Sequence, residues 1–170
     1  MNIFYLDEDP EVCASLHIWP KHTVKMILET AQMLCTAHRL LDGYQVVEKS
    51  KTGRNIKRWR LHDKELDELM YSCTHINHPS CKWIRNDGFN YMWAYELMMA
   101  LGEEFLVKSD KGGDHLTIEK FRDVLKHPPK NLIFDRFEAP WPAMPDEYKV
   151  PGDSLASYRN YYEMKKETIK

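Results

Sequence analysis

The sequence predicts a mainly α, single-domain fold with two long buried helices and a small β-hairpin. Three observations predict it. Residues 21–41 and 89–107 are long stretches, apolar on most sides at helical spacing. Residues 44–61 place β-branched and aromatic residues on both sides of Thr52-Gly53, the pattern of a hairpin. A chain of 170 residues, 43% hydrophobic and 29% charged, has the size and composition of one globular domain.

Each element has a local reason. Residues 2–6, an apolar aromatic run, suit a short strand. Asp9 then caps a short helix with Pro10 in its first position. Pro20 opens the first long helix in the same way, and Gly43 closes it. The hairpin follows, with a basic tip, and Asp63 caps a further short helix. His78-Pro79 starts another, and the second long helix follows it. "SDKGGDH" is a loop, and "TIEKFRDVLKH" is an amphipathic helix ended by Pro128-Pro129. Between residues 128 and 152 the prolines predict an extended strap across the surface. The C-terminal stretch from Ser154 is a helix with an aromatic face and a basic end. No internal repeat or low-complexity tract interrupts this order.

The formal net charge of -2 does not advertise a nucleic-acid binder, but the charge is unevenly spread. Asp7, Glu8, Asp9 and Glu11 make an acidic start, whereas residues 49–60 hold six Lys/Arg. The four cysteines lack the spacing of a disulfide scaffold and suit reduced thiols in a cytoplasm. Neither a membrane-spanning helix nor a signal peptide is expected, and no membrane partner.

The first long helix carries an unusual polar row. Each residue advances about 100° around a helix. On that wheel His22, Lys25, Glu29, Gln32, Thr36 and Arg39 fall within about 100° of one another. A surface helix has an apolar stripe and a broad polar face; here the proportions are inverted. Either the row is a solvated strip with a Lys25–Glu29 pair, or it lines a polar pocket. Its mixture of imidazole, ammonium, carboxylate, carboxamide and guanidinium suits a site better than a solubility face.

A second cluster gathers Cys73, His75, His78, Cys81, Arg85 and Asn90. The spacing His75-x-x-His78-x-x-Cys81 matches no common zinc pattern, so no metal is expected, and no cofactor. His78 and Asn77 can cap the helix that starts at Pro79, with Cys81 in the core. Alternatively, His75, His78 and Arg85 bind an anion. In the hairpin, Lys51, Arg54, Lys57, Arg58 and Arg60 surround Trp59. Such a segment can track a phosphate backbone and stack on a base, or it can be a soluble charged tip.

The stretches "NIFYLDEDPEVCASLH", "KHTVKMILETAQMLCTAHR", "THINHPSCKWIR", "NYMWAYEL" and "MPDEYK…YRNYY" resemble a family of small phage and bacterial proteins labelled pyrimidine-dimer DNA glycosylases. The resemblance covers nearly the whole chain except the hairpin. It implies an enzyme acting on damaged or modified pyrimidines in DNA, in a cytoplasm (the host's, if the chain is phage-encoded). The well-known phage pyrimidine-dimer glycosylase/lyase is a different sequence. Enzymes of that type use a glutamate and an N-terminal amine freed by Met removal ahead of a small residue. Asn2 is large for that, so Met1 is expected to stay. The family also tends to carry an acidic residue where this chain has Pro20.

Base excision needs a nucleophile or activated water at the anomeric carbon and a carboxylate to stabilise positive charge on the sugar. Glu29 is the expected carboxylate, Lys25 the amine and His22 the proton-transfer partner. Gln32 and Arg39 are expected to orient substrate or phosphate. His75, His78, Arg85 and Asn90 are expected to complete the far wall, with a flipped base stacked on Trp83 or Trp93. The competing reading is a non-catalytic phage accessory factor that binds nucleic acid, nucleotide or a host protein. A third is a metal-dependent hydrolase using His22, His75 and His78.

Overall fold

The computed structural model describes residues 1–169. It is mainly α, with seven helices and one two-stranded sheet among those residues. The elements run α1 (Pro10–Ser15), α2 (Lys21–Asp42), β1 (Tyr44–Lys49), β2 (Asn55–Arg60), α3 (Lys64–Leu69), α4 (Pro79–Ile84), α5 (Gly88–Lys108), α6 (Leu116–Leu125) and α7 (Ser154–Thr168). A short 3-10 turn at Asp146–Tyr148 is the single regular piece of the strap. No helix among the described residues is long and apolar enough to cross a membrane.

Helix α2 packs along α5, and α1, α4 and α6 close around this pair. Met26, Ile27 and Leu34 of α2 and Tyr91, Leu97 and Leu101 of α5 are fully buried. Burying side chains of this size stabilises by about 1.5–3 kcal/mol each. That gain explains why both helices are apolar on most sides. Asp9, Asp63, Asp87 and Asp153 accept backbone N–H groups at the starts of α1, α3, α5 and α7. His78 does the same for α4 through Nδ1, which accepts the Ser80 N–H at 3.1 Å.

The hairpin pairs β1 and β2 antiparallel, from Tyr44 opposite Arg60 to Lys49 opposite Asn55. Gly53, at φ +80°, supplies the left-handed turn residue. Gly43 ends α2 for a different reason from the expected one. Its backbone is extended rather than left-handed, at φ -99° and ψ -171°. A Cβ there would stand 2.4 Å from the Arg39 carbonyl oxygen and 2.5 Å from that of Arg60. The glycine lets the hairpin approach the end of α2.

Residues 2–6 do not form the expected strand. They are buried but have no sheet partner. Side chains meet their backbone instead. The Asn2 Oδ1 accepts the Ile3 N–H, and the Cys13 thiol bridges the Phe4 carbonyl and the Leu6 N–H. Arg159 Nε donates to the Leu6 carbonyl. Pro20 also differs slightly from expectation: it stands at the N-cap of α2, which begins at Lys21.

The strap crosses the surface as its prolines predicted, and buried side chains hold it. Asp87 Oδ2 accepts the N–H groups of Asp135 and Arg136. Asn90 Oδ1 accepts the Glu138 N–H, and the Trp83 indole donates to the Glu138 carbonyl. At the far end Asn2 Nδ2 donates to the Ala143 carbonyl at 2.8 Å. The strap thereby fixes the first residues of the chain beside α2.

Candidate active site

The polar row does not face open water. Residues 71–78 run along it in the opposite direction to α2. At the C-terminal end Arg39 Nε donates to the Tyr71 carbonyl, one turn earlier Thr36 Oγ1 accepts the Thr74 N–H, and near Glu29 lies His78. Thr36 in turn donates to the Gln32 carbonyl. The row and the second cluster therefore meet along one strip.

The N-terminal end of the row opens into a cavity of about 340 Å³. Met1, His22, Lys25 and Glu29 line it, with Tyr161 and Lys165 of α7 opposite. The Met1 α-amine lies 3.7 Å from Glu29 Oε2, and Lys25 Nζ lies 3.6 Å from Oε1. Glu29 thus stands between two amines. Both contacts are longer than hydrogen bonds, and no hydrogen bond to its carboxylate is found among the described residues. Glu29 is 15% exposed and Lys25 60%. The Met1 side chain is buried, with its Sδ 3.6 Å from the Cys81 thiol.

His22 is buried and edge-on to Phe4, with ring centroids 4.7 Å apart. The Tyr162 hydroxyl accepts the Ile18 N–H at 2.9 Å and lies 2.7 Å from His22 Nδ1. Its proton has that lone pair as acceptor, which assigns the His22 proton to Nε2. Burial, then His17, Lys25 and Lys165, pull His22 down to about 3. A neutral imidazole of this kind donates a hydrogen bond without carrying charge. Behind it lies His17, stacked at 5.3 Å, whose Nδ1 donates to the Cys13 carbonyl. Burial pulls His17 down to about 4, and its Nε2 is buried without a partner.

His78 lies close enough to the site for its charges to act. Burial lowers its pKa first, then the Met1 amine and His75, with Glu29 opposing. His75 is exposed, and its Nδ1 lies 2.6 Å from Thr74 Oγ1. Phe4 and His75 are the two described non-glycine residues at positive φ, +45° and +48°. Phe4 lines the cavity with Met1 and Glu29, and His75 begins the turn that ends at His78.

Other expected site residues serve the fold. Arg39 is 3% exposed, and all five of its N–H donors are taken. They reach the carbonyls of Tyr71, Trp59, Asp67 and Met70 and the Asp67 carboxylate. No donor is left for a phosphate. Asn90 is fully buried between the Trp83 carbonyl and the strap, not in a pocket wall. Arg85 donates to the Ile76 carbonyl and so holds the 75–78 turn; its Nη1 is buried without a partner. Trp83 and Trp93 are core residues, each with its indole N–H bonded to a backbone carbonyl, and cannot receive a flipped base. Gln32 is half-buried along the strip. Among the described residues no three His, Cys, Asp or Glu side chains converge as metal ligands do.

Sequence reasoning missed Met1, Tyr162 and Lys165 as parts of the site. The aromatic face and basic end of the C-terminal helix were the available signal for the last two. For Met1 the signal was the apolar run behind it, which buries the start of the chain.

A second cavity, of about 490 Å³, lies between the hairpin and residues 72–73. Lys51, Lys57, Arg58 and Trp59 line it, with Arg39 at its floor. Lys51, Arg54, Lys57 and Arg58 are exposed and make no ion pair with other described residues. Arg60 differs: it is held by Glu48 and Asp67. No family model matches the chain, and no curated protein or solved structure matches it.

Proposed function

We propose that the protein is a DNA-acting enzyme of glycosylase/lyase type, working on damaged or modified pyrimidines. The observation that carries this reading is the Glu29 carboxylate set between the Met1 α-amine and Lys25 in one cavity. An unprotonated amine attacks the anomeric carbon, and the bond from that carbon to the base nitrogen breaks. The departing base takes that electron pair and a proton. The sugar ring then opens: its oxygen gains a proton, the nitrogen loses one, and an imine remains. Glu29 stabilises the positive charge on the sugar and can move the nitrogen proton to the ring oxygen.

Of the two amines, Met1 suits the nucleophile better. It is held in place beside the Glu29 carboxylate, whereas Lys25 is mostly exposed. His22 Nε2–H is placed to donate to substrate. Met1, Lys25 and Lys165 outnumber Glu29 among the described residues of the cavity, which favours a substrate bearing phosphates.

The test is reductive trapping. The protein is mixed with duplexes holding one cyclobutane pyrimidine dimer or one modified pyrimidine, with borohydride, and the adduct is mapped by mass spectrometry. The expected result is a covalent adduct on Met1, lost in Glu29→Gln and retained in Lys25→Ala. An adduct on Lys25 reassigns the nucleophile. Absence of adduct and of strand cleavage on every duplex overturns the reading in favour of a non-catalytic binder.

A further inference from the structure

We propose that the basic hairpin is a DNA clamp, which holds the duplex backbone at a fixed offset from the Met1–Glu29 pair. The proposal rests on the function proposed above for the choice of nucleic acid, but its evidence lies elsewhere in the molecule. Lys51, Arg54, Lys57 and Arg58 are exposed cations that make no ion pair among the described residues, and Glu48, the carboxylate in the same cleft, is taken by Arg60. A hairpin whose charge served its own stability would pair them, as Arg60 is paired. Unpaired cations on a short ribbon are placed to neutralise phosphates.

The cleft beside them supplies a second contact. Trp59 is half-buried in its wall, and its indole N–H has no hydrogen-bond partner among the described residues. A partly exposed indole among Lys and Arg can stack on a base or lie against a sugar.

The hairpin is also held rigidly, which separates it from a loose basic tail. Arg39 donates to the Trp59 carbonyl at 2.9 Å, and Asp67 accepts the Leu61 N–H at 2.9 Å. Arg60 bridges Glu48 and Asp67 across its base. The close approach at Gly43 fixes its angle to α2. The orientation of the cations relative to the site is therefore set by the fold.

That fixes a spacing. Arg39 at the cleft floor and Glu29 at the site lie on the same row of α2, ten residues apart, or about 15 Å along the axis. The six-residue strands add at most about 20 Å. At about 3.4 Å per base pair, the clamp contacts DNA within about 10 base pairs of the reacting nucleotide. It does so on one side only.

Fluorescence anisotropy with an undamaged 24-base-pair duplex tests this, across a salt series. K51E/R54E/K57E/R58E is expected to weaken binding at least tenfold at low salt. The slope of log K against log salt is expected to fall by up to about 4, one for each phosphate that is no longer neutralised. K57A/R58A, a milder change, is expected to lower the slope by about 2. Circular dichroism checks that each variant is folded. Duplexes cut to 3 base pairs on one side of a central dimer are expected to lose affinity for one polarity and not the other. Unchanged affinity and slope in the folded hairpin variants overturn the clamp, as does equal loss on both sides. K51E/R54E/K57E/R58E separates the two ideas: at saturating DNA it is expected still to form the Met1 adduct, while its affinity for undamaged DNA falls. Hairpin-dependent binding without any wild-type adduct supports the clamp and sinks the catalytic reading.

Discussion

Arg39 and Glu29 sit on the same face of α2, within the same polar row, and the structure treats them in opposite ways. At the C-terminal end Arg39 is 3% exposed with all five donors met by four carbonyls and one carboxylate. At the N-terminal end Glu29 has charged neighbours at 3.6–3.7 Å and no hydrogen bond among the described residues. A fully satisfied buried ion is part of the scaffold, because its desolvation is tolerable only with its partners in place. A carboxylate held near two amines but bonded to neither keeps its lone pairs for something else. A polar row is thus not one functional unit merely because it is one stripe.

Arg39→Ala should break the comparison most visibly. It takes one cation from Asp67, which keeps Arg60 and the Leu61 N–H, and leaves four carbonyls without their donor. A loss of about 3–5 kcal/mol is expected in urea denaturation. A loss below about 1 kcal/mol would remove the structural role given to Arg39. Tyr162→Phe comes next, at about 1–3 kcal/mol, because the Ile18 N–H and His22 Nδ1 lose their shared partner. The same change frees the His22 tautomer, so adduct formation should fall further than stability alone explains.

Acid should then act on the buried imidazoles. His17 is held down to about 4, as is His38, a buried ring of α2 whose Nε2 lies 2.9 Å from the Tyr91 hydroxyl, and His22 to about 3, all by burial first. Unfolded histidines titrate near 6.5. Below that pH the unfolded chain takes up protons that the folded chain refuses, so stability is full above about 6.5 and falls toward about 4. Each of the three groups contributes a slope of up to about 1.4 kcal/mol per pH unit, readable as a falling Tm between pH 6.5 and 4. A flat Tm across that window would show that these rings are not buried neutral. The smallest effect is expected at the open end of the row. Lys25→Ala should change stability by less than about 0.5 kcal/mol, since its side chain is mostly exposed, and Glu29→Gln, bonded to neither amine, by no more than about 1 kcal/mol. A large loss in Glu29→Gln would make the two ends of the row alike.

Much of the scaffold could be read from local sequence. Asp9, Asp63 and Pro79 announce helix starts, and Thr52-Gly53 announces the hairpin, because caps and turns depend on neighbours in the chain. Residues 2–6 misled, since an apolar aromatic run looks the same whether a sheet edge or scattered side chains receive its backbone. The role of Arg39 was hidden for a related reason: four of its five acceptors are main-chain carbonyls, which every residue has. The row itself was legible from spacing. That residues 71–78 lie along it was not, because nothing local records which distant segment will cover a helix. Met1 beside Glu29 was hidden in the same way.

The contacts that seat the start of the chain have a consequence for folding time. Asn2 reaches Ala143, and Ile18 and His22 reach Tyr162, across 140–144 positions of sequence. Contacts between such distant positions form slowly, because long loops must close before they are rewarded. Asn2, Ile18 and His22 therefore wait for the strap and α7 before they have a fixed place. The helical pair can be assembled while the cavity is still open, and the fixed aromatic environment around Phe4, Tyr161 and Tyr162, read by near-ultraviolet circular dichroism, should lag behind helix content during refolding.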